Sequence, residues 1–264
     1  MQTYLGALCI ALGISLTMAC SSKEEPTMHA SAEAGAPTPL DLTDVTRHPE
    51  RYTWFDFRPN VKKLILAGAP ETEHIAILWY TAADGGVGLH YHDKTESVYV
   101  IDGTQTDAKG DYPTGSVYFN PPGSGHQVTH STGFFLLAYA AAPDFTGTDR
   151  IAEYTPVRMD LTASNLTSQY TFEPASKAVR TYAVPLEESG GMRAELIELT
   201  PGGSYTYRGN YVLVLDGACT IAGSAYTAKQ LAVANAIEAR SYALTAASRG
   251  RCLLLGVVFS AAQG

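Results

Sequence analysis

Residues 85–104 read GGVGLHYHDKTESVYVIDGT, and this stretch decides the fold. His90 and His92 stand two residues apart in a run of strand-forming residues, so both side chains lie on one face of a strand. Glu96 follows after three further residues, close enough to return a carboxylate to the same face across a bend. The spacing therefore predicts two strands and a bend that gather metal-ligating side chains in one interior.

A second stretch, residues 115–126, reads GSVYFNPPGSGH and supplies another imidazole. The prolines and Gly123 form a turn after a short strand, and His126 follows that turn. Three imidazoles and one carboxylate suit Fe(II), Mn(II), Ni(II), Cu(II) or Zn(II), and they leave coordination positions open. We predict one divalent metal ion held by His90, His92, Glu96 and His126. Glu96 is also the candidate catalytic base.

These two stretches resemble the two-part signature of the cupin superfamily. The first part is G, five residues, H-x-H, three or four residues, E, six residues, G. The second part is G, five residues, P-x-G, two residues, H, three residues and usually N. The opening glycine is shifted here by one position, and His130 stands where Asn is usual. The resemblance implies a jelly-roll barrel, also called a double-stranded β-helix, around one metal ion.

A narrower resemblance is to the cupin domain of ChrR-type anti-sigma factors and their two-barrel relatives. It is carried by Glu96 to Gly103, by the turn at residues 109–112 and by residues 120–126. In that family the cupin domain binds zinc. Nothing in this chain resembles the sigma-binding helical domain, so the resemblance implies the fold and the metal but not that partner.

The strand pattern repeats later in the chain. Residues 202–220 read GGSYTYRGNYVLVLDGACT, and the Asp-Gly pair at 216 follows the pair at 102 by 114 residues. Tyr205, Tyr207 and Asn210 stand where the first-part ligands would be, and Arg240 stands opposite His126. A second barrel without imidazole ligands is predicted. Its Tyr205, Tyr207 and Arg240 could recognise an anion, but we favour tyrosines that fill the barrel with Arg240 on its rim.

The N-terminal segment predicts export. Residues 4–18 are apolar and end at Ala19-Cys20, which resembles the lipobox of bacterial lipoproteins, in which that Cys is lipidated. Residues rich in Ala, Ser, Glu, Pro and Thr follow and predict a flexible tether. The predicted organisation is all-β: a signal peptide at 1–20, a linker at 21–40, a metal-binding barrel at 41–155 and a degenerate barrel at 165–264.

The net charge and the cysteine content limit the possible partners and disulfides. With 26 acidic and 18 basic residues the net charge is −8, which argues against nucleic acid as a partner. Cys219 and Cys252 remain in the folded part. An exported compartment permits a disulfide between them, and two buried free thiols are the equal alternative.

Two functions fit these features. The first is an exported metal-dependent oxidoreductase of the dioxygenase type, acting on a small organic substrate. The second is a non-catalytic metal or small-molecule sensor tethered to the membrane through Cys20, in the bacterial periplasm or at the cell surface. Both need the same ligands, so the sequence does not separate them, and it leaves open whether the chain forms a homodimer.

Overall fold

A computed structural model of the protein describes residues 36–162, 166–234 and 237–259. The predicted signal peptide, Cys20 and the linker up to residue 35 lie outside the described residues. Within the described part, no helix is long and apolar enough to cross a membrane. Almost all of its regular structure is antiparallel β-sheet, which confirms the predicted all-β class.

The first half of the chain contributes nine strands. In order they are β1 (Leu40–Asp41), β2 (Phe55–Arg58), β3 (Val61–Gly68), β4 (His74–Tyr91), β5 (Glu96–Asp107), β6 (Gly110–Pro113), β7 (Ser116–Asn120), β8 (Gly125–Tyr139) and β9 (Val157–Asp160). A short helix, α1 (Leu42–Arg47), follows β1 and is capped by the carboxylate of Asp41. Single 3₁₀ turns lie at Pro49–Arg51 and Thr148–Arg150.

The second half repeats this plan after a one-turn helix, α2 (Leu166–Gln169). Its strands are β10 (Glu173–Ser176), β11 (Val179–Ala183), β12 (Met192–Leu199), β13 (Ser204–Gly209), β14 (Tyr211–Ile221), β15 (Ser224–Thr227), β16 (Gln230–Val233), β17 (Arg240–Ala246) and β18 (Cys252–Phe259). A 3₁₀ turn at Glu188–Gly190 connects β11 to β12.

The strands form two sheets, each of which wraps into one barrel. The first has the order β2-β3-β4-β8-β5-β7-β9, with β6 paired to β5. The second has the order β1-β16-β14-β18-β12-β11-β10, with β15 and β17 paired to β14 and β13 paired to β17. Strand β1 therefore adds to the second sheet although it precedes the first. The predicted domain limits themselves stay a prediction.

Matching hydrogen bonds in the two barrels reproduce the offset of the sequence repeat. The Gly115 amide donates to the Val100 carbonyl at 2.8 Å, and the Lys229 amide donates to the Val214 carbonyl at 2.8 Å. Each residue of the second pair lies 114 positions after its counterpart. Both Gly115 and Lys229 have positive φ angles, of 83° and 67°. The second barrel thus keeps the backbone turn even where the glycine is lost.

Several strands are buried on both faces, and their sequences therefore do not alternate between apolar and polar residues. In β5, Val98 and Val100 face the interior of the first barrel, whereas Tyr99 and Ile101 face a second apolar cluster shared with the other barrel. Strands buried on both faces read as continuous apolar runs. The shared cluster includes Phe134, Leu136 and Ala138 from the first sheet and Leu196, Tyr211, Leu213, Leu255 and Val257 from the second. The two barrels pack against each other through this cluster.

Both cysteines of the folded part are free thiols in the structure. Cys219 on β14 and Cys252 on β18 belong to the interior cluster of the second barrel. The hydrogen bond with Cys219, together with burial, raises the pKa of the Cys252 thiol. A raised pKa keeps the thiol protonated and therefore unreactive at neutral pH. Of the two alternatives left open by the sequence, the structure contains the unbridged pair.

Candidate metal centre

Strand pairing brings the four predicted ligands together inside the first barrel. Strand β4 pairs with β8 so that His90 lies directly opposite His126. His92 follows the end of β4, and Glu96 is the first residue of β5. One ligand atom from each of the four residues lies within 4.8 Å of those of the others. All four side chains are buried, with at most 3% of their surface exposed.

Two of the imidazoles are oriented by hydrogen bonds on the side away from the cluster. His90 Nδ1 lies 2.8 Å from the Gly88 carbonyl oxygen, and His126 Nδ1 lies 2.9 Å from Asp107 Oδ2. A carbonyl and a carboxylate only accept, so each Nδ1 carries the proton and donates it. The Nε2 atoms of both rings are then left for the cluster. Outer partners of this kind are typical of metal-ligating histidines.

The carboxylate of Glu96 lies between two of the imidazoles. Its Oε2 atom is 3.4 Å from His92 Nε2 and 3.3 Å from His126 Nε2. The same oxygen accepts a hydrogen bond of 2.8 Å from Asn120 Nδ2. Asn120 thus fixes the carboxylate at the point where the imidazole nitrogens converge.

The unpaired nitrogens of this cluster fit a divalent metal ion. His92 Nε2 and His126 Nε2 are buried and have no hydrogen-bond partner within the described part of the chain. A buried polar atom without a partner costs free energy, so native proteins rarely leave one unpaired. A cation that accepts their lone pairs removes this cost. Three imidazoles and one carboxylate are a borderline-hard donor set, which such an ion prefers.

The charges around the cluster are unevenly distributed. Burial lowers the pKa of His90 to about 3 and that of His92 to about 4, so both rings are neutral, as metal ligands must be. Burial disfavours a charge on His126 too, but its hydrogen bond to Asp107 and the nearby carboxylate of Glu96 outweigh burial and raise its pKa to about 9. Burial likewise opposes ionisation of Glu96, yet the neighbouring imidazoles hold its pKa well below the usual range. A metal ion would take the place of the proton on His126.

Asp107 and Asn120 orient ligands, and the sequence analysis did not identify either of them. Asn120 lies inside the quoted turn motif, but an asparagine at that position does not by itself indicate a hydrogen bond to Glu96, 24 residues earlier in the chain. Asp107 ends β5, which has register shifts after Val100 and after Thr104. The shift after Val100 adds a residue to β5 and so changes which of its residues face inward, whereas the shift after Thr104 adds a residue to β8. Alternation counted from Glu96 therefore fails before it reaches Asp107.

Other residues near the motif have structural roles. His130 is exposed and lies at a turn within β8 with a φ of 52°. Tyr118 stacks on Tyr112 in the barrel interior with ring centroids 3.9 Å apart. Tyr99 packs between the barrels. Both tyrosines therefore serve packing.

Two buried basic residues, Lys63 and His74, lie in the same barrel interior beyond the four candidate ligands. Lys63 is 3% exposed, and its Nζ atom lies 3.3 Å from His74 Nε2. Burial lowers the pKa of Lys63 to about 8 and that of His74 to about 4. The Tyr139 ring lies between this pair and the cluster, with its centroid 4.7 Å from that of His74 and 6.3 Å from that of His92. The described residues give Lys63 no carboxylate partner.

The segment after β8 covers the end of the cluster. Asp144 and Tyr91 exchange two backbone hydrogen bonds of 2.8 and 2.9 Å. The next residue, Phe145, packs on His90 with ring centroids 5.2 Å apart. The Arg58 guanidinium lies 4.4 Å above the Phe145 ring. Access to the cluster from this side therefore requires Phe145 to move.

The second barrel holds the loop that joins His92 to Glu96. The Thr95 amide donates to the Gly190 carbonyl at 2.9 Å, and Lys94 Nζ donates to the Ser189 carbonyl at 2.9 Å. The contact is close, because a Cβ atom on Gly190 would lie 1.9 Å from Thr95 Oγ1. The turn at Glu188–Gly190 thus fixes the position of a loop whose two ends are ligands.

The interior of the second barrel is filled where the first holds its ligands. Tyr207 points into the interior cluster, and its ring packs against Gly256, where a Cβ atom would lie 2.5 Å from the ring. The equivalent of Gly256 in the first barrel, paired with Val98, is Leu137. Arg240 pairs with Gly209 across β13 and β17. It is not among the residues that line a cavity with Tyr205 and Tyr207, so the three do not form the anion cluster considered from the sequence.

Comparisons with known proteins agree with this fold. Residues 42–142 match the family model described as ChrR cupin-like domain. A cupin 2 conserved barrel domain protein from Leptotrichia buccalis superposes with a TM-score of 0.54 at 11% identity, over 87% of this chain and 100% of that one. A mutant of Bacillus subtilis oxalate decarboxylase gives a TM-score of 0.48 at 14% identity, over 87% of this chain and 78% of that one. No curated protein matches the sequence.

We predict that Gly190→Ala weakens metal binding at a site that Gly190 does not touch. The new methyl group displaces Thr95 and with it the loop between His92 and Glu96. Changes to residues that support ligands lower metal affinity about 10- to 100-fold, and we expect a loss near the lower end. Titration against a competing chelating dye measures the dissociation constant, and melting of the metal-free protein reports on folding.

A compensating variant distinguishes displacement of the loop from general damage. Thr95→Ala removes the Oγ1 atom that the new methyl group would meet, so the double variant should recover most of the lost affinity. Ser189→Ala is the matched control, because it adds no atom and keeps the carbonyl that Lys94 contacts. Wild-type affinity in Gly190→Ala, or a double variant no better than the single one, would contradict this account.

Proposed function

We propose that this chain, which belongs to the cupin superfamily, is a metal-dependent oxidoreductase of the dioxygenase type that acts on a small organic molecule. The observation that supports the proposal is the convergent donor set of three imidazoles and one carboxylate, buried and partly unpaired. Four protein ligands leave positions free on a five- or six-coordinate ion. When bound, a redox-active divalent ion supplies Lewis acidity and one-electron chemistry towards dioxygen.

The protein's own residues have separate tasks in such a reaction. His90 and His92, held neutral by burial, offer their lone pairs without first losing a proton. Asp107 keeps the proton of His126 on Nδ1 and so keeps Nε2 directed inward. Glu96 either remains a ligand or, when released towards Asn120, accepts a proton from the substrate. The apolar barrel around them excludes water from the reacting centre.

The buried pair of Lys63 and His74 favours a substrate that carries a negative charge. Within the described residues, the buried ammonium of Lys63 contacts the neutral His74 and two aromatic rings, those of Phe57 at 4.0 Å and Tyr139 at 5.5 Å. An unpaired cation in a low-dielectric interior favours the entry of an anion. Carboxylic acids and phenols are therefore the substrate classes to test first.

A second candidate is a non-catalytic metal or small-molecule sensor. The observation that favours it is the closure of the site: no ligand is more than 3% exposed, and Phe145 packs directly on His90. A closed site suits a tightly held ion with little exchange. The same ligands serve both functions, so the identity of the metal and its turnover separate them.

The two candidates predict opposite results for oxygen uptake. For the oxidoreductase we expect purified protein to hold Fe, Mn, Ni or Cu and to consume O₂ with at least one phenol or carboxylic acid. His126→Ala should lower kcat/KM by at least about 100-fold, because it removes a ligand and unpairs Asp107. His130→Ala is the matched control, since His130 is exposed, and it should behave as wild type. Tightly held zinc with no uptake on any substrate would contradict the enzyme and favour the sensor.

We also propose that the protein is exported and anchored to the bacterial membrane by a lipid on Cys20. The apolar run that ends at Ala19-Cys20 and the polar tether after it support this proposal. Wild-type protein should partition into the membrane fraction, and Cys20→Ser should move it to the soluble fraction. Cys9→Ser is the control and should stay membrane-bound. Membrane retention of Cys20→Ser would count against the anchor.

A further inference from the structure

A cavity of about 300 Å³ opens at one end of the second barrel. It is distinct from the metal cluster, since none of its lining residues belongs to the first barrel. The polar residues that line it are Arg193, Glu195, Tyr205, Tyr207 and Arg208.

Strand alternation shows that the cavity is the open end of the barrel interior. On β12, Ile197 and Leu199 belong to the interior core of the second barrel. Counting back by twos along this strand places Glu195 and Arg193 on the same inward face. On β13, Tyr207 belongs to that core, and Tyr205 packs against it. Arg193, Glu195, Tyr205 and Tyr207 therefore line the barrel interior, whereas Arg208 alternates with Tyr207 and lies at the rim of the cavity.

The carboxylate at the inner end of the cavity is only partly compensated, because the charge of Arg193 acts on it from beyond ion-pair distance. Glu195 is partly buried, and the one hydrogen bond to its side chain comes from the Tyr205 hydroxyl at 3.4 Å. No ion pair joins it to an arginine within the described residues, although its neighbour on the same face is Arg193. Burial raises the pKa of Glu195, which shows that its charge is poorly solvated. A positively charged ligand group would stabilise it.

The two arginines at the cavity are also unpaired. Arg193 and Arg208 are exposed, and neither guanidinium forms a hydrogen bond or ion pair with the part of the chain that the structure describes. Elsewhere in the same barrel arginines are paired: Arg180 with Glu198 and Arg251 with Asp216. Two unpaired guanidiniums beside one cavity form a site for a carboxylate, which they can bind through paired N–H groups.

A further polar atom without a partner lies in the cavity wall. Tyr207 is 4% exposed, and its hydroxyl has no hydrogen-bond partner in the described chain. Leaving a buried hydroxyl unpaired costs free energy. A small shift of the ring towards the cavity would let a ligand satisfy this group.

We propose that the second barrel binds a small zwitterion, such as a free amino acid, in this cavity. The ammonium group lies against Glu195 and the tyrosine rings, and the carboxylate lies against Arg193 and Arg208. A simple anion would meet the uncompensated charge of Glu195, and a simple cation would meet two arginines, so a ligand that carries both charges fits best. The cavity volume is at the lower end of the range for ligand pockets. This inference does not depend on the metal site or on oxidoreductase activity.

Binding to the full chain tests the proposal. The probes are the twenty common amino acids, screened by thermal shift, with calorimetry on the one that stabilises most. Its decarboxylated amine and its deaminated acid are the matched analogues. We expect the amino acid to bind at least tenfold more tightly than either analogue. Glu195→Gln and Arg193→Gln should each weaken binding of the amino acid at least tenfold.

Control variants keep the result interpretable. Arg249→Gln removes an exposed arginine outside the cavity and should bind as wild type, which accounts for net charge. Because Arg193 is exposed, its replacement should leave the melting temperature of the ligand-free protein unchanged. The proposal is overturned if no amino acid binds. It is also overturned if the acid alone binds as tightly as the amino acid, or if Glu195→Gln and Arg193→Gln bind as wild type.

Discussion

Four polar side chains are buried in the first barrel, and they cannot satisfy all of one another's hydrogen-bonding atoms. The surrounding structure positions them in spite of this cost. The long antiparallel pairing of β4 with β8 sets His90 opposite His126, and the bend after β4 returns Glu96 to the same point. Hydrogen bonds with Gly88, Asp107 and Asn120 fix the orientation of His90, His126 and Glu96. Such a cluster is costly inside an apolar barrel unless a further group, such as a metal ion, binds the buried lone pairs of the imidazoles.

The second barrel contributes to this centre without supplying a ligand. Its Gly190 turn contacts the loop between His92 and Glu96, at a distance that no larger residue would allow. The apolar cluster between the barrels makes that contact rigid, because it joins the outer faces of both sheets. A barrel without imidazole ligands thereby supports the metal centre of its neighbour.

Much of the centre was predictable because its chemistry is encoded locally. The His-x-His pair and the carboxylate four residues later share a face through strand alternation, and the proline turn places His126. The 114-residue repeat likewise predicted two barrels. Asp107 was not predictable, because a bulge in β5 after Val100 changes the inward face before it is reached. The contact of Gly190 with Thr95 was hidden for another reason: residues 95 positions apart meet only through the packing of the two barrels.

The central claim is that one ion is held by three imidazoles and one carboxylate of the first barrel. X-ray absorption on the metal-loaded protein measures the donor atoms directly. We predict one ion per chain, a first shell of nitrogen and oxygen only, and the multiple-scattering signature of three imidazoles. A sulfur scatterer or a shell with fewer than three imidazoles would contradict the account.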